Sequence, residues 1–187
     1  MNVRTMPTLI ETKVSSEQVF DGKLLHVRRD TVRLPDGSLA TREYVVHPGA
    51  VLIVPVLPDG RLVVERQYRY PVGQVFIEFP AGKLDPGEAK SPRRAASSPK
   101  RRAMRRRTWT PLGRIHSVVG YSNEAIDFYV AEGLTHVGAN LDAGEFLEIV
   151  TMSVDEMLAA LDRGEITDAK TVAALLLYAR RRRSLTR

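Results

Sequence analysis

Between Ala89 and Arg107 the chain carries nine lysines and arginines (Lys90, Arg93, Arg94, Lys100, Arg101, Arg102, Arg105, Arg106 and Arg107) and no acid. The same block holds Pro92, Pro99 and the pair Ser97-Ser98. A proline inside a helix costs about 3 kcal/mol, and like charges stacked on a helix face add repulsion. Yet the residues just before the block, Leu84-Asp85-Pro86-Gly87-Glu88, read as a turn into a helix start. Pro86 fixes φ there, and Glu88 suits the positive end of a helix dipole. The chain prepares a helix and then supplies residues that oppose one. A short helix from Pro99 to Arg107 is the most the block allows. Poor order over Ala89 to Arg107, and incomplete cover for the sheet that the helix should pack on, are expected.

The formal charge of the 187 residues is +6; without those nine cations it is −3, so one segment accounts for the basic pI. Charge this local, and not interleaved with stacking aromatics, does not make a specific nucleic-acid surface. Trp109 and Tyr121, nearby, read as core residues beside strands. The absence of cysteine excludes disulfides, thiolate catalysis and cysteine-metal clusters. No apolar run approaches the roughly 20 residues that span a bilayer, and Met1 to Ile10 lacks the apolar centre of a secretory signal. The expectation is a cytoplasmic protein with no membrane partner. His26, His47 and His116 lie in strand-like segments without the spacing of a zinc site.

Strand signals dominate. Leu24 to Val27 and Asp30 to Leu34 are extended in character, Pro35-Asp36-Gly37-Ser38 is a hairpin turn, and Ala40 to His47 continues as a strand. Ala50 to Leu57 is apolar and β-branched, and Pro58-Asp59-Gly60 turns it into Arg61 to Tyr70. Two long strands joined by a tight turn imply a curled antiparallel or mixed sheet with Val51, Ile53, Leu62 and Val64 in the core. Phe76 to Pro80, Thr110 to Ile115, Ala125 to Ala131 and Glu145 to Met152 are further strands. Ser153 caps a helix over Val154 to Arg163 with Glu156 at its N3 position. A last helix over Ala169 to Arg182 repeats Val172, Leu175, Leu176 and Ala179 at helical spacing. The pattern is α+β, a strand-rich body with few helices and no doubly wound parallel sheet.

On several ordered motifs the chain resembles the Nudix hydrolases, in their ADP-ribose pyrophosphatase branch. The motifs are Glu65-Arg66-Gln67-Tyr68-Arg69-Tyr70-Pro71-Val72-Gly73, then Glu78-Phe79-Pro80-Ala81-Gly82-Lys83-Leu84-Asp85-Pro86-Gly87-Glu88. Gly120-Tyr121-Ser122-Asn123-Glu124, Glu145-Phe146-Leu147-Glu148, Gly164-Glu165-Ile166 and Asp168-Ala169-Lys170-Thr171 follow in order. Gly82 and Glu88 open the Nudix box, G-x5-E-x7-R-E-U-x-E-E-x-G-U with U a bulky apolar residue. The resemblance spans Phe20 to Tyr178 except the basic block.

There the second half of the box is missing. Ala96 stands for the arginine, Ser97 for the next glutamate, Lys100 and Arg101 for the paired glutamates, and Ala103 for the glycine. In the family those glutamates hold divalent metal, and Lys100 and Arg101 offer it no electron pair. The genetic code permits a simple origin. The codons GCG AGC TCG CCG AAG AGA CGG GCT ATG encode Ala96 to Met104. Preceded by C and read one base back, they spell Arg-Glu-Leu-Ala-Glu-Glu-Thr-Gly-Tyr, the missing half-box. This compatibility points to two compensating frameshifts, one near Ala89 and one near Arg107.

The resemblance implies an α/β/α sandwich with a mixed curled sheet (residues 48–187) and an N-terminal antiparallel strand extension (residues 1–47) that pairs across a homodimer. It implies cleavage of a nucleoside diphosphate sugar such as ADP-ribose to AMP and a sugar phosphate, with Mg²⁺ or Mn²⁺. Metal would be held by the Ala81 carbonyl, Glu78 and Glu88; Glu88 and Glu145 would serve catalysis; Arg42, Arg69 and Glu124 would hold substrate. The residues alone leave each role open: Glu78 as a buried carboxylate paired to a helix-anchoring arginine, Arg42 and Arg69 in strand salt bridges, Glu124 and Glu145 as solvated acids. Val119 stands where the family has proline, which loosens the geometry expected around Glu124. With the box glutamates replaced, severe impairment is expected. A non-catalytic protein that binds nucleotide diphosphates is the alternative.

Overall fold

The structure, a computed structural model, describes residues 9–84, 108–133 and 146–185, and the basic block lies outside them. Contacts divide the chain into two units, residues 1–47 with 118–124, and residues 48–117 with 125–187.

The first unit is an antiparallel meander of β1 (Thr12–Asp21), β2 (His26–Arg33) and β3 (Leu39–Val46) in the order β1-β2-β3. The hairpin between β2 and β3 closes at Gly37, whose φ of 89° is a left-handed conformation that glycine adopts at no steric cost. Leu34 and Ser38 share a backbone hydrogen bond across the turn. Where the sequence suggests a break between Val27 and Asp30, β2 runs on without one, paired residue by residue to β3. The segment 118–124 joins this unit by laying Ser122 parallel to Val45 as a single bridge.

Among the described residues the second unit holds two sheets and two helices. Its four-stranded sheet has the order β7-β4-β9-β8, from β7 (Ala81–Lys83), β4 (Ala50–Pro55), β9 (Ile126–Glu132) and β8 (Thr108–Ile115). Its three-stranded sheet has the order β10-β5-β6, from β10 (Leu147–Met152), β5 (Leu62–Arg69) and β6 (Gln74–Glu78). The helices are α1 (Val154–Asp162) and α2 (Ala169–Leu185). Leu52 and Val54 from one sheet, Leu62 and Val64 from the other, and Met157, Ala160 and Leu175 from the helices share one core cluster. Full burial of such side chains stabilises by about 1.5–3 kcal/mol each.

The α+β sandwich expected of the sequence is present, but the single curled sheet is not. The apolar run and its partner after Pro58-Asp59-Gly60 form no long hairpin. Val56 and Leu62 make one bridge, after which β4 and β5 separate into different sheets. β4 pairs instead with β9, in parallel, matching Leu52 to Phe128 and Val54 to Val130. All three sheets are open, and only the four-stranded one mixes parallel and antiparallel pairing. The physical reason is that β4 is apolar on both faces, so it needs cover on two sides and cannot sit at the rim of a one-faced curl.

The expected gap in the sheet's cover turns on the basic block, which lies outside the described residues, while both faces of β4 are buried. Val51 and Ile53, opposite to Leu52 and Val54 along β4, are fully buried in a second cluster with Leu84, Tyr129 and Ala131. Trp109 packs there, edge-on to Tyr129 with ring centroids 6.0 Å apart. On α2 the buried stripe is Thr171, Ala174, Leu175 and Ala179, whereas Leu176 is half exposed.

The cap on α1 matches the sequence expectation. Ser153 Oγ accepts the Glu156 amide at 3.1 Å, and the Glu156 carboxylate accepts the Ser153 amide at 2.6 Å. Ser153→Ala should destabilise the protein by about 1 kcal/mol, as loss of such a cap does. Urea unfolding followed by circular dichroism checks this.

Candidate functional site

Glu78 ends β6 and is buried, 2% exposed. A carboxylate in that position needs partners, and the fold supplies two cations. Arg69, at the end of β5, donates from Nε and from its terminal nitrogen to the two Glu78 oxygens, at 2.7 Å each. The antiparallel register of β5 and β6 brings these strands together, and Gly73, at φ 71°, lets the chain reverse between them. The second cation is Lys170, in the first turn of α2, whose Nζ contacts Glu78 and also Asp168 at 2.8 Å.

Asp168 caps α2 by accepting the Thr171 amide at 3.1 Å, and the Thr171 hydroxyl accepts the Phe79 amide at 3.0 Å. The helix start is thus tied to the chain directly after Glu78. From there the chain enters β7, where Ala81 sits opposite Leu52 of β4, and Ile53 donates to the Pro80 carbonyl at 2.9 Å. Two acids and two bases balance in this cluster, so no net charge is buried. Removing one member of such a group costs about 3–5 kcal/mol, because the charge left behind is stranded.

The electrostatics follow from this geometry. Burial pushes the Glu78 carboxyl up, but the Arg69 hydrogen bonds and the Lys170 charge together hold it below the ordinary range. Arg69 is held above its ordinary value, first by its hydrogen bond to Glu78. Glu78 is a poor base here, and both of its oxygens are occupied by cations. Among the described residues no group of three or more His, Asp or Glu side chains could hold a metal ion. A divalent cation does not fit these donors: Glu78 is neutralised, and Lys100 and Arg101 stand in the sequence where carboxylates would be needed. Glu88 and Glu145 lie outside the described residues.

Arg42 and Glu124 belong to the first unit. Arg42, on β3, meets Glu11, which precedes β1: Nε donates at 3.0 Å and a terminal nitrogen at 2.6 Å. Glu124 lies 3.6 Å from the His47 ring, and its amide donates to the Ser122 hydroxyl. The loop that carries Glu124 is strapped to β3. Val45 donates to the Tyr121 carbonyl at 2.9 Å, and the Asn123 side chain accepts the His47 amide at 2.7 Å. Of the residues singled out in the sequence, Arg69 and Glu78 meet directly, and Ala81 follows three residues on. Lys170, Asp168, Thr171 and Glu11 were not singled out as site residues. An aspartate immediately before a helix, with Lys and Thr in the first turn, was the signal for the first three.

The chain is similar to several characterised proteins. A family model described as the nucleoside diphosphate sugar hydrolase N-terminal domain matches residues 11–45. An ADP-ribose pyrophosphatase of Bacillus subtilis (strain 168) is 30% identical over 172 residues, which cover 91% of this chain and 93% of that protein. A methanol dehydrogenase activator of Bacillus methanolicus is 34% identical over 179 residues, covering 91% and 94%. An ADP-ribose pyrophosphatase of Mycobacterium tuberculosis (strain ATCC 25618 / H37Rv) is 34% identical over 167 residues, covering 87% and 80%. A crystal structure described as an ADP compounds hydrolase superposes with a TM-score of 0.80 at 22% identity, covering 94% of this chain and 95% of that one. At that identity the likeness concerns the fold alone.

The Glu78 cluster makes stability depend on pH in a defined direction. The folded-state value of Glu78 lies below the unfolded one, near 4.3 for a glutamate. Its contribution is therefore complete above the unfolded value and is lost as pH falls through the folded one. Glu78→Gln should cost about 3 kcal/mol at neutral pH, and the difference from the parent protein should shrink on acidification below about pH 4. Urea midpoints measured across that range test both parts.

Proposed function

Because this chain belongs to the Nudix superfamily, in its ADP-ribose pyrophosphatase branch, we propose that it is a diphosphate hydrolase by descent whose turnover is severely impaired in the sequence as it stands. The substrate class is a nucleoside diphosphate sugar such as ADP-ribose, and the reaction is attack of water on the diphosphate to give AMP and a sugar phosphate. The observation that carries this reading is 30% identity over nine-tenths of the chain, with the second half of the metal-binding motif replaced and its paired glutamates exchanged for Lys100 and Arg101. Arg42, Arg69 and Glu124 are the proposed substrate contacts. Glu88 and Glu145 are the proposed catalytic acids, with Ala81, Glu78 and Glu88 the ligands for Mg²⁺ or Mn²⁺ in an intact family member.

The geometry around Glu78 favours a second reading beside the first, a protein that binds nucleotide diphosphates without cleaving them. A carboxylate held by Arg69 and Lys170 is not available to a cation, and Lys100 and Arg101 in the replaced box repel one. A homodimer is part of the proposal. Val14, Val19 and Phe20 of β1 and Leu39 of β3 are exposed large hydrophobics, and a second copy is the proposed cover for them. Among the described residues no helix is long and apolar enough to cross a membrane; a cytoplasmic location is proposed.

Incubation with ADP-ribose and Mg²⁺ should yield AMP at far below about 1 turnover per second, the low end of the usual enzyme range. A rate at or above that would overturn the impaired reading. Sequencing the encoding DNA should reveal the half-box one frame away. Restoring that frame, which places glutamates at positions 97, 100 and 101, should then raise AMP formation by several orders of magnitude. Small-angle scattering should give the mass of a dimer, and a monomer would remove that part of the proposal.

A further inference from the structure

Arg42 carries its own anion. The Glu11 carboxylate takes Nε at 3.0 Å and one terminal nitrogen at 2.6 Å, and the other terminal nitrogen donates to the Thr41 carbonyl at 3.0 Å. All three guanidinium nitrogens are engaged within the sheet. A carboxylate and a phosphate offer such a fork the same pair of oxygens, so Glu11 occupies the edge that a diphosphate would use. An arriving anion must displace it.

Whether displacement is feasible depends on burial. Arg69 presents the same two nitrogens to Glu78, but that carboxylate is buried, so pulling Arg69 away leaves it one cation short with no water to take its place. Glu11 is different. Its side chain is 35% exposed and that of Arg42 is 47% exposed. A released Glu11 passes straight into water, and an exposed pair of this kind is weak.

We propose that Glu11 is a displaceable internal ligand of Arg42, an autoinhibitory contact that keeps the guanidinium fork aligned and yields it to a diphosphate. The proposal rests on the reading of Arg42 as a diphosphate contact. Glu11 makes anion binding an exchange of one anion for another. The protein therefore favours ligands whose phosphates are charged strongly enough to displace a carboxylate.

Titration calorimetry of the full chain with ADP-ribose and, separately, with AMP, without added metal, tests this. Glu11→Gln keeps the side-chain shape and removes the competing charge. It should tighten ADP-ribose binding about threefold to fivefold, the scale of an exposed ion pair, and should tighten AMP, whose phosphate carries a comparable charge, to a similar extent. Arg42→Gln should weaken binding about tenfold and cancel the gain when combined with Glu11→Gln. Glu17→Gln is the control, since Glu17 lies on β1 and pairs with Arg29 at 3.1 Å; it should leave the affinity unchanged. If Arg42→Gln has no effect, the reading of Arg42 as a diphosphate contact fails. If Arg42→Gln weakens binding but Glu11→Gln does not tighten it, the exchange is wrong while that reading stands. Equal tightening by Glu17→Gln would mean a general charge effect and would overturn the specific contact. Binding seen only after Glu11→Gln supports the proposal, and no binding in any variant sinks both ideas.

Discussion

The second unit is organised around a carboxylate that could not be buried alone. Glu78 sits where β6 ends, and four groups from two elements converge to make that position tolerable: Arg69 from β5, and from the start of α2 Lys170, Asp168 and Thr171, the last through the Phe79 amide. The links from α2 to the sheet are short in space and long in sequence, since Lys170 and Thr171 each reach a partner 92 residues away. A network of this kind gives little net stability over an apolar replacement, because desolvation offsets most of the attraction. What it supplies is register: docking α2 in another position would take Lys170 away from Glu78 and leave Arg69 as its one cation.

The parts of this fold legible in the sequence are those where burial leaves a pattern. Val51, Ile53, Leu62 and Val64 follow from apolar β-branched runs, and all four are buried. The α1 cap follows from a serine and a glutamate three apart. β1 was not legible. Its ten residues, Thr12–Asp21, are exposed on both faces, so no alternation marks them as a strand, and only pairing to β2 makes them one. The curled sheet failed for the opposite reason. Two adjacent apolar strands with a tight turn between them satisfy every local rule for a hairpin. The deciding fact, that β4 finds a parallel partner more than seventy residues away in β9, is a long-range choice that no window of sequence contains.

The candidate site was legible in identity but not in pairing. The family resemblance picks out Arg42, Arg69 and Glu78, yet it cannot say which charges neutralise one another. Glu78 was open between metal ligand and arginine partner. The geometry places two cations on it, Arg69 and Lys170, and the second lies far from Glu78 in sequence. Lys170 was hidden because a lysine in the first turn of a helix is usually solvated. Only the approach of α2 to the end of β6 turns it into the partner of a buried acid.

Arg42 and Arg69 look alike as letters and nearly alike as geometry, each gripping a glutamate through Nε and a terminal nitrogen. The difference lies in the partner. The Glu78 side chain is 3% exposed and doubly held, whereas that of Glu11 is 35% exposed and singly held. The same hydrogen bonds therefore serve opposite ends. Around Glu78 they cannot be exchanged, so Arg69 is committed to holding the fold even if a second face of it meets a ligand. At Glu11 water can replace the protein partner at little cost, so the fork is free to trade one anion for another. Burial of the carboxylate, more than the identity of the arginine, decides which of the two can take part in recognition.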